Sequence, residues 1–190
     1  MSVSINNYTT QNELLLNNLM AFYKKTNNLS RMLKIITGES KISLRIVDWF
    51  ATNYAKKYYT LYTMKNASDE TIRFKVYFDY KLKLKAYSKK RFDPFCRWDR
   101  ISIPYTDGTC IETTIGQLNF FKWTIENKVI EYIEENYSTI ENDMNSRNST
   151  SKRKELVTEN TKTRKKREEL SISATKSIKK EDVEIVVKFN

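Results

Sequence analysis

Residues 72–86 read IRFKVYFDYKLKLKA, and apolar and polar side chains alternate along the whole stretch. Every even-numbered position is apolar or aromatic, and the odd-numbered positions carry Arg73, Lys75, Tyr77, Asp79, Lys81, Lys83 and Lys85. A period of two places alternate side chains on opposite faces, so the pattern predicts a strand with one buried face and one cationic face. Such a strand would be about 50 Å long, well beyond the usual length, so we expect it to be bent, bulged or split near Asp79.

Charge is distributed unevenly along the 190 residues, whose net charge is +11. Residues 72–100 carry ten basic and three acidic side chains, and residues 147–180 carry twelve basic and four acidic ones. Residues 111–143 instead carry two lysines and seven acidic side chains. A strongly basic protein suits nucleic acid or another acidic surface. The oppositely charged regions could also meet each other.

Histidine is absent, and the only cysteines are Cys96 and Cys110. A structural zinc site needs Cys or His ligands, so neither such a site nor Ser-His-Asp or Cys-His catalysis is expected. Two cysteines make no disulfide framework, which predicts a reducing compartment and buried apolar roles for both. No signal peptide is visible, and no apolar run approaches the roughly 20 residues that span a bilayer. We therefore expect no metal, no cofactor and no membrane association.

Helices are predicted before the alternating stretch. Residues 10–13 fit a capping box that opens an amphipathic helix. Ser30 can cap a short second helix, with Gly38 as the left-handed residue after its end. Ser40 or Ser43 then starts a third helix, which carries apolar residues as far as Leu61.

A hairpin and a long helix are predicted after it. Residues 106–109, Thr-Asp-Gly-Thr, give a hairpin signal between strands at 101–105 and 110–113. Thr113 or Thr114 then caps one long amphipathic helix that runs to Ile140. Helices, then strands, then a helix predict an α+β fold with N-terminal helices and a small, mostly antiparallel sheet.

The predicted domain organisation has three parts: a globular α+β domain over residues 1–143, a basic flexible arm over 144–180, and a C-terminal strand over 181–190. Apolar residues nearly vanish in the arm, which is typical of disorder. Apolar residues alternate again from Val183 to Phe189. This strand could pair with the chain's own sheet or with a partner's.

The cations of the alternating stretch and of the predicted loop at 88–100 form the candidate nucleic-acid-binding surface. Lysine and arginine can follow a phosphate backbone while neighbouring rings stack on bases. The candidate residues are Arg73, Lys75, Tyr77, Lys81, Lys83, Lys85, Lys89, Lys90, Arg91, Arg97 and Arg100. Further stacking candidates are Tyr87, Phe92, Phe95 and Trp98. In the alternative interpretation, the lysines protect an edge strand from aggregation and the rings of the loop fill the core.

The basic arm is a second candidate surface. Lys152-Arg153 is followed ten residues later by Arg164, Lys165, Lys166 and Arg167, the spacing of a bipartite nuclear import signal. A basic arm also binds nucleic acid by releasing counterions. The two interpretations remain open at the level of sequence.

Carboxylates could support an enzyme only if they converged. Asp93, Asp99, Asp107 and Glu112 could in principle gather Mg²⁺ for a nuclease. However, Asp107 belongs to the predicted turn, and the other three have cations nearby as partners. With three glycines in the chain there is no glycine-rich phosphate loop either. No enzymatic activity is expected.

Three segments and the C-terminal end resemble a known family. Residues 85–97, 113–123 and 164–178, with the ending at 183–189, are similar to uncharacterised proteins encoded by nucleocytoplasmic large DNA viruses, the giant viruses of protists and algae. The similarity covers nearly the whole chain. It implies a viral context and carries over no catalytic residues.

Charge, rings and resemblance together predict a non-enzymatic viral nucleic-acid-binding protein that assists transcription, replication or genome packaging. Its partners would be DNA or RNA and other viral proteins, in the viral factory of the host cytoplasm, in the nucleus or in the virion. The alternative is a structural or assembly protein, a minor capsid or core component that docks through its C-terminal strand.

Overall fold

The computed structural model describes residues 11–25, 27–65, 68–95, 100–105, 109–157 and 180–182, and for residues 109, 148–157 and 180–182 it describes the backbone alone. Helices occur throughout these residues, together with one antiparallel sheet of two strands and one of three. The α+β class predicted from the sequence is therefore confirmed.

The N-terminal part is helical, as predicted. α1 spans Gln11–Lys24, α2 spans Asn28–Ile36 and α3 spans Leu44–Trp49. Gly38 follows α2 with φ 81°, the left-handed conformation predicted for it. The Ser43 hydroxyl accepts a hydrogen bond from the Ile46 amide and so caps α3, which selects Ser43 over Ser40. Thr10, in the predicted capping box of α1, lies outside the described residues.

The helix continues beyond α3 in a different geometry. The π-helical segment Phe50–Tyr54 leads into α4, Ala55–Lys57. The Ala55 amide donates to the Phe50 carbonyl, five residues earlier instead of four. Tyr59 then takes φ 47°, which ends the helix and turns the chain into the first strand.

Residues 72–86 are not one strand, and this corrects the prediction. β1 spans Leu61–Lys65 and pairs antiparallel with β2, Thr71–Lys75, and α5 then spans Val76–Phe92. The helix forms because Val76 and Tyr80, four residues apart on one face, are buried in the core. The Trp123 indole N–H also donates to the Asp79 carboxylate at 2.6 Å, and lysine, leucine and alanine are strong helix formers.

The predicted loop at 88–100 is partly helical. α5 kinks at Ser88, where φ is 62°, and continues to Phe92. Phe92 is fully buried, so it fills the core and is not a platform for bases. The Asp93 carboxylate accepts a hydrogen bond from the Phe95 amide at 2.8 Å. Residues 96–99, which include Cys96 and Trp98, lie outside the described part.

The predicted hairpin is confirmed. β3, Arg100–Pro104, pairs antiparallel with β4, Thr109–Thr114, and Ile103 faces Ile111 across the pair. β5, Lys180–Asp182, pairs antiparallel with β4 of the same chain. Cys110 is only half-buried, less than predicted. The turn at 106–108 and the rest of the C-terminal strand at 183–190 lie outside the described residues.

The single long helix predicted after β4 is three helices: α6, Ile115–Glu126, α7, Val129–Glu135, and α8, Tyr137–Val157. Thr114 caps α6 by accepting from the Gln117 amide. The first break follows Asn127, whose side chain donates to the Trp123 carbonyl, and Lys128 takes the left-handed conformation. Asn136 makes the second break in the same way, donating to the Tyr132 carbonyl.

α8 extends into the region predicted to be a flexible arm. Its backbone is helical to Val157, whereas the arm was expected to begin at residue 144. The side chain of Met144 is buried, so at least this position belongs to the folded domain. The remaining arm, residues 158–179, lies outside the described part of the chain.

α6 forms the centre of the core. Leu118, Phe120 and Phe121 are fully buried. The rings of Phe120 and Trp123 contact those of Tyr80 and Phe92, with centroids 5.8 to 6.4 Å apart. These four residues, the core ring cluster, join α5 to α6 and so fix the outer face of α5.

Candidate functional site

Several predicted cations lie exposed along β2 and α5. Arg73 and Lys75 are exposed on β2, and Lys81, Lys85 and Lys89 are exposed on α5. Lys81 and Lys85 are one helical turn apart and therefore share a face. We call these five residues the cationic surface.

The change from strand to helix separates Lys83 from that surface. On a strand Lys83 would share a face with Lys81 and Lys85, but on a helix a spacing of two residues places it on another side. Lys83 is half-buried and lines a cavity of about 190 Å³ together with Asp79 and Glu126. Lys122 lines the same cavity. We therefore leave Lys83 out of the cationic surface, and its assignment as a phosphate ligand stays a prediction.

Other predicted cations contact the chain itself. Arg100 forms an ion pair with Glu112 at 3.2 Å, and the Arg91 guanidinium donates to the Gln11 side-chain oxygen. Lys90 and Arg91 both line a cavity of about 240 Å³ next to α1. These three residues are thus displaced from the cationic surface. Arg97, Arg164, Lys165, Lys166 and Arg167 lie outside the described residues.

The acidic stretch at 111–143 forms ion pairs with two cations from elsewhere in the chain and with one of its own lysines. Glu131 pairs with Arg31, Asp143 with Lys57, and Glu126 with Lys122. Within the described part of the chain, none of these acidic side chains forms an ion pair with a member of the cationic surface. The cationic surface is therefore not neutralised by the acidic helices that the structure describes.

A cavity of about 360 Å³ adjoins the cationic surface. It lies where α4 passes into β1 and β2 passes into α5, a junction closed by a hydrogen bond from the Val76 amide to the Thr60 carbonyl. Its lining residues are Ala55, Lys56, Tyr59, Thr60, Leu61, Lys75, Tyr77 and Phe78. Three of them are aromatic and two are lysines, and none is acidic. We call it the junction cavity.

Two rings of the junction cavity, those of Tyr59 and Phe78, are exposed, and lysines lie beside Tyr77 and Phe78. Tyr59 is 80% exposed and Phe78 is 62% exposed. The ammonium groups of Lys56 and Lys81 each lie 5.7 Å from the Tyr77 ring centroid, and that of Lys75 lies 5.9 Å from the Phe78 centroid. Cation–π contacts of this kind hold the lysines beside the rings, with their charge still accessible.

Sequence reasoning missed part of this arrangement. Tyr59 and Lys56 were not assigned to any site, and Phe78 was assigned to the buried face of a strand. The pair Lys56-Lys57 followed by Tyr58-Tyr59 was the signal that could have indicated them. Their positions depend on the left-handed backbone conformation of Tyr59, which no residue pattern in the sequence predicts.

One half-buried carboxyl, that of Asp48, lies away from these cations. Desolvation of the carboxyl, and to a smaller extent repulsion from Asp93, raise the pKa of Asp48 on α3 to about 7. Burial and the same two carboxylates also raise the pKa of Tyr80. Among the described side chains, no three acidic or cysteine groups gather as metal ligands. Four carboxylates were considered for Mg²⁺. The Asp93 carboxylate accepts a hydrogen bond from the Phe95 amide, and Glu112 pairs with Arg100. The other two, Asp99 and Asp107, lie outside the described part.

No helix within the described ranges is long and apolar enough to cross a bilayer.

Comparison with known proteins gives the family. A family of unknown function, DUF7197, matches residues 2–190, so the chain belongs to that family. A protein of Acanthamoeba polyphaga mimivirus, described as uncharacterized, is 48% identical in an alignment of 129 positions that covers 65% of this chain and 49% of the mimivirus protein. The chain therefore spans about half the length of this relative. No solved structure matches.

Proposed function

We propose that this chain is a non-enzymatic nucleic-acid-binding protein of a giant virus, one that assists transcription, replication or genome packaging. The observation that carries the proposal is the cationic surface of β2 and α5, none of whose members forms an ion pair with the described acidic side chains of residues 111–143. The similarity to a mimivirus protein supplies the viral context. Such a protein would act where the viral genome is, in the factory in the host cytoplasm or in the nucleus.

The cationic surface suits a phosphate backbone for a physical reason. Exposed lysines and arginines displace the counterions condensed on nucleic acid, and the release of those ions favours binding. Five cations acting together predict a slope of about −3 to −4 when the logarithm of the affinity for a single strand is plotted against the logarithm of salt concentration. The basic arm would add to this slope if it also contacts phosphates.

Fluorescence anisotropy with a labelled oligonucleotide tests the proposal. We expect binding at about 50 mM salt that weakens steeply towards 200 mM. The double variant Lys81→Glu with Lys85→Glu should weaken binding at least tenfold. Lys24→Glu with Lys34→Glu is the matched control, because it changes net charge equally at exposed lysines of α1 and α2. Absence of binding at low salt, or equal loss in both double variants, would contradict the proposal.

An assembly role in the virion is the second candidate. Its support comes from exposed apolar side chains, of which Leu14 is 58% exposed and Leu82 is 66% exposed. β5 pairs with β4 of the same chain, so the described residues of the C-terminal strand do not support docking on a partner. A pull-down from infected cells with and without nuclease separates the two roles. Viral proteins retained after nuclease treatment would favour assembly, and their loss would favour nucleic-acid binding.

A further inference from the structure

We propose that the junction cavity binds an unpaired nucleobase, so that the protein prefers single-stranded to double-stranded nucleic acid. This inference rests on the proposed function and adds to it the form of the ligand and the residues that select it. The cationic surface alone would bind any polyanion, whereas a cavity lined by rings recognises the flat face of a base.

The size and lining of the cavity fit this ligand. Its volume of about 360 Å³ falls in the range of small-molecule sites. Tyr59, Tyr77 and Phe78 supply aromatic surface, and the buried Ala55 and Thr60 close the interior. The lining contains no carboxylate that would repel a phosphate.

Tyr59 is held in an unusual way for an exposed residue. Its φ of 47° is rare for an aromatic side chain, and strained backbone of this kind concentrates at functional sites. With 80% of its surface exposed, the ring contributes little to the core. The conformation instead presents the ring at the mouth of the cavity, where an entering base can stack on it.

The lysines lie where the phosphates of such a nucleotide would be. Lys56 and Lys75 line the cavity, and Lys81 approaches it across the Tyr77 ring. A base stacked on Tyr59 or Phe78 therefore has cations beside its own backbone, and the strand can continue along the cationic surface of α5. Bases in a duplex are already paired and stacked, so they could enter only by being flipped out at an energetic cost.

Three labelled probes of equal length test the inference with the full chain. They are an oligothymidylate of about 16 nucleotides, a mixed-sequence duplex, and an abasic strand that has the phosphates but no rings. We expect the oligothymidylate to bind at least fivefold more tightly than the duplex and the abasic strand at about 100 mM salt.

Single substitutions locate the effect. Tyr59→Ala and Phe78→Ala should each weaken oligothymidylate binding by about 5- to 150-fold, as loss of a stacking ring does, and change duplex binding less than twofold. Tyr59→Phe, which keeps the ring, should bind as the wild type does. Leu82→Ala is the control, since Leu82 is equally exposed on α5 but does not line the cavity. Thermal unfolding checks that each variant is folded.

Different results distinguish the two proposals. If the wild type binds all three probes equally, or if both alanine variants bind oligothymidylate normally, the cavity is not a base site and the proposed function stands without it. If the wild type binds none of the probes, the proposed function fails and the base site fails with it.

Discussion

α5 has two faces with opposite uses of aromatic residues. On the inner face Tyr80 joins the core ring cluster, where rings contact rings and Phe92 and Phe120 are fully buried. On the outer face Phe78 is 62% exposed, and its neighbour is the ammonium group of Lys75. Aromatic residues thus stabilise the fold on the inner face, whereas on the outer face Phe78 lies exposed beside a lysine of the cationic surface. The comparison shows that neighbouring lysines, not the rings themselves, distinguish the candidate binding face.

The largest expected effect is on the inner face. Phe120→Ala removes a fully buried ring from the centre of the core and should lower the free energy of unfolding by about 3–5 kcal/mol. Urea denaturation followed by circular dichroism measures it. A loss below about 1 kcal/mol would mean that the core ring cluster is not the centre of stability.

Asp48 belongs to the inner side, because the charge of its carboxylate raises the pKa of Tyr80. Its own raised pKa makes the stability of the protein depend on pH. Its pKa is raised to about 7 in the folded state, so between about pH 4 and 7 the folded protein keeps a proton that the unfolded chain releases. This group therefore lowers stability as pH rises through that window. Asp48→Asn should stabilise the protein at pH 8 by at most about 4 kcal/mol and have little effect below pH 4. Equal effects at both pH values would contradict the prediction.

Around Asp143, a lysine and two aromatic residues stabilise the fold instead of forming an accessible surface. Asp143 accepts hydrogen bonds from the Trp49 indole, the Lys57 ammonium group and the Tyr58 hydroxyl, and so ties α8 to α3 and α4. Burial alone would raise the pKa of Asp143, but these hydrogen bonds lower it below its ordinary value.

Asp143→Ala leaves those three donors without their acceptor, and we expect a loss of about 1–3 kcal/mol at neutral pH. Because the pKa is lowered, the stabilisation is present above the ordinary carboxyl pKa and is lost as pH falls through the acid range. The difference between variant and wild type should therefore shrink in acid, as it does for Asp48→Asn, but it has the opposite sign, because Asp143→Ala destabilises the protein at neutral pH whereas Asp48→Asn stabilises it. Thermal unfolding from neutral pH to about pH 3 tests this contrast.

The smallest effect on stability is expected on the outer face. Phe78→Ala should change the free energy of unfolding by no more than about 0.5 kcal/mol, because the ring is exposed. Its effect should lie in oligonucleotide affinity alone. A large loss of stability in this variant would remove the distinction between the two faces.

Local signals in the sequence predicted much of the fold. Ser43 and Thr114, each one of two predicted candidates, cap helices, Gly38 is left-handed, and the β3–β4 hairpin forms at its predicted place. Each of these features depends on a few neighbouring residues, whose side-chain and backbone chemistry does not need the rest of the molecule.

Features that depend on tertiary packing were not predictable. Val76, Tyr80 and Leu84 fit a period of two as well as a helical spacing of four, so the pattern alone could not separate strand from helix. Packing against Trp123 on α6 decided it. Exposure of Arg73, Lys75, Lys81 and Lys85 was predicted correctly in spite of the wrong element. The junction cavity could not be foreseen, since it needs Tyr59 in the left-handed region.

The π-helical segment Phe50–Tyr54 has a consequence for comparing homologues. An α-helix turns about 100° per residue. If these residues formed a regular α-helix instead of the π-helical segment, every residue after it would be rotated about the helix axis by about that angle. Lys56 would then leave the cavity, and Lys57 would leave Asp143. A homologue with one residue deleted between Trp49 and Lys56 would need no such segment and would keep both arrangements. A one-residue alignment gap at this place would therefore leave Lys56 in the cavity and Lys57 beside Asp143, whereas a gap one turn later would disrupt these arrangements.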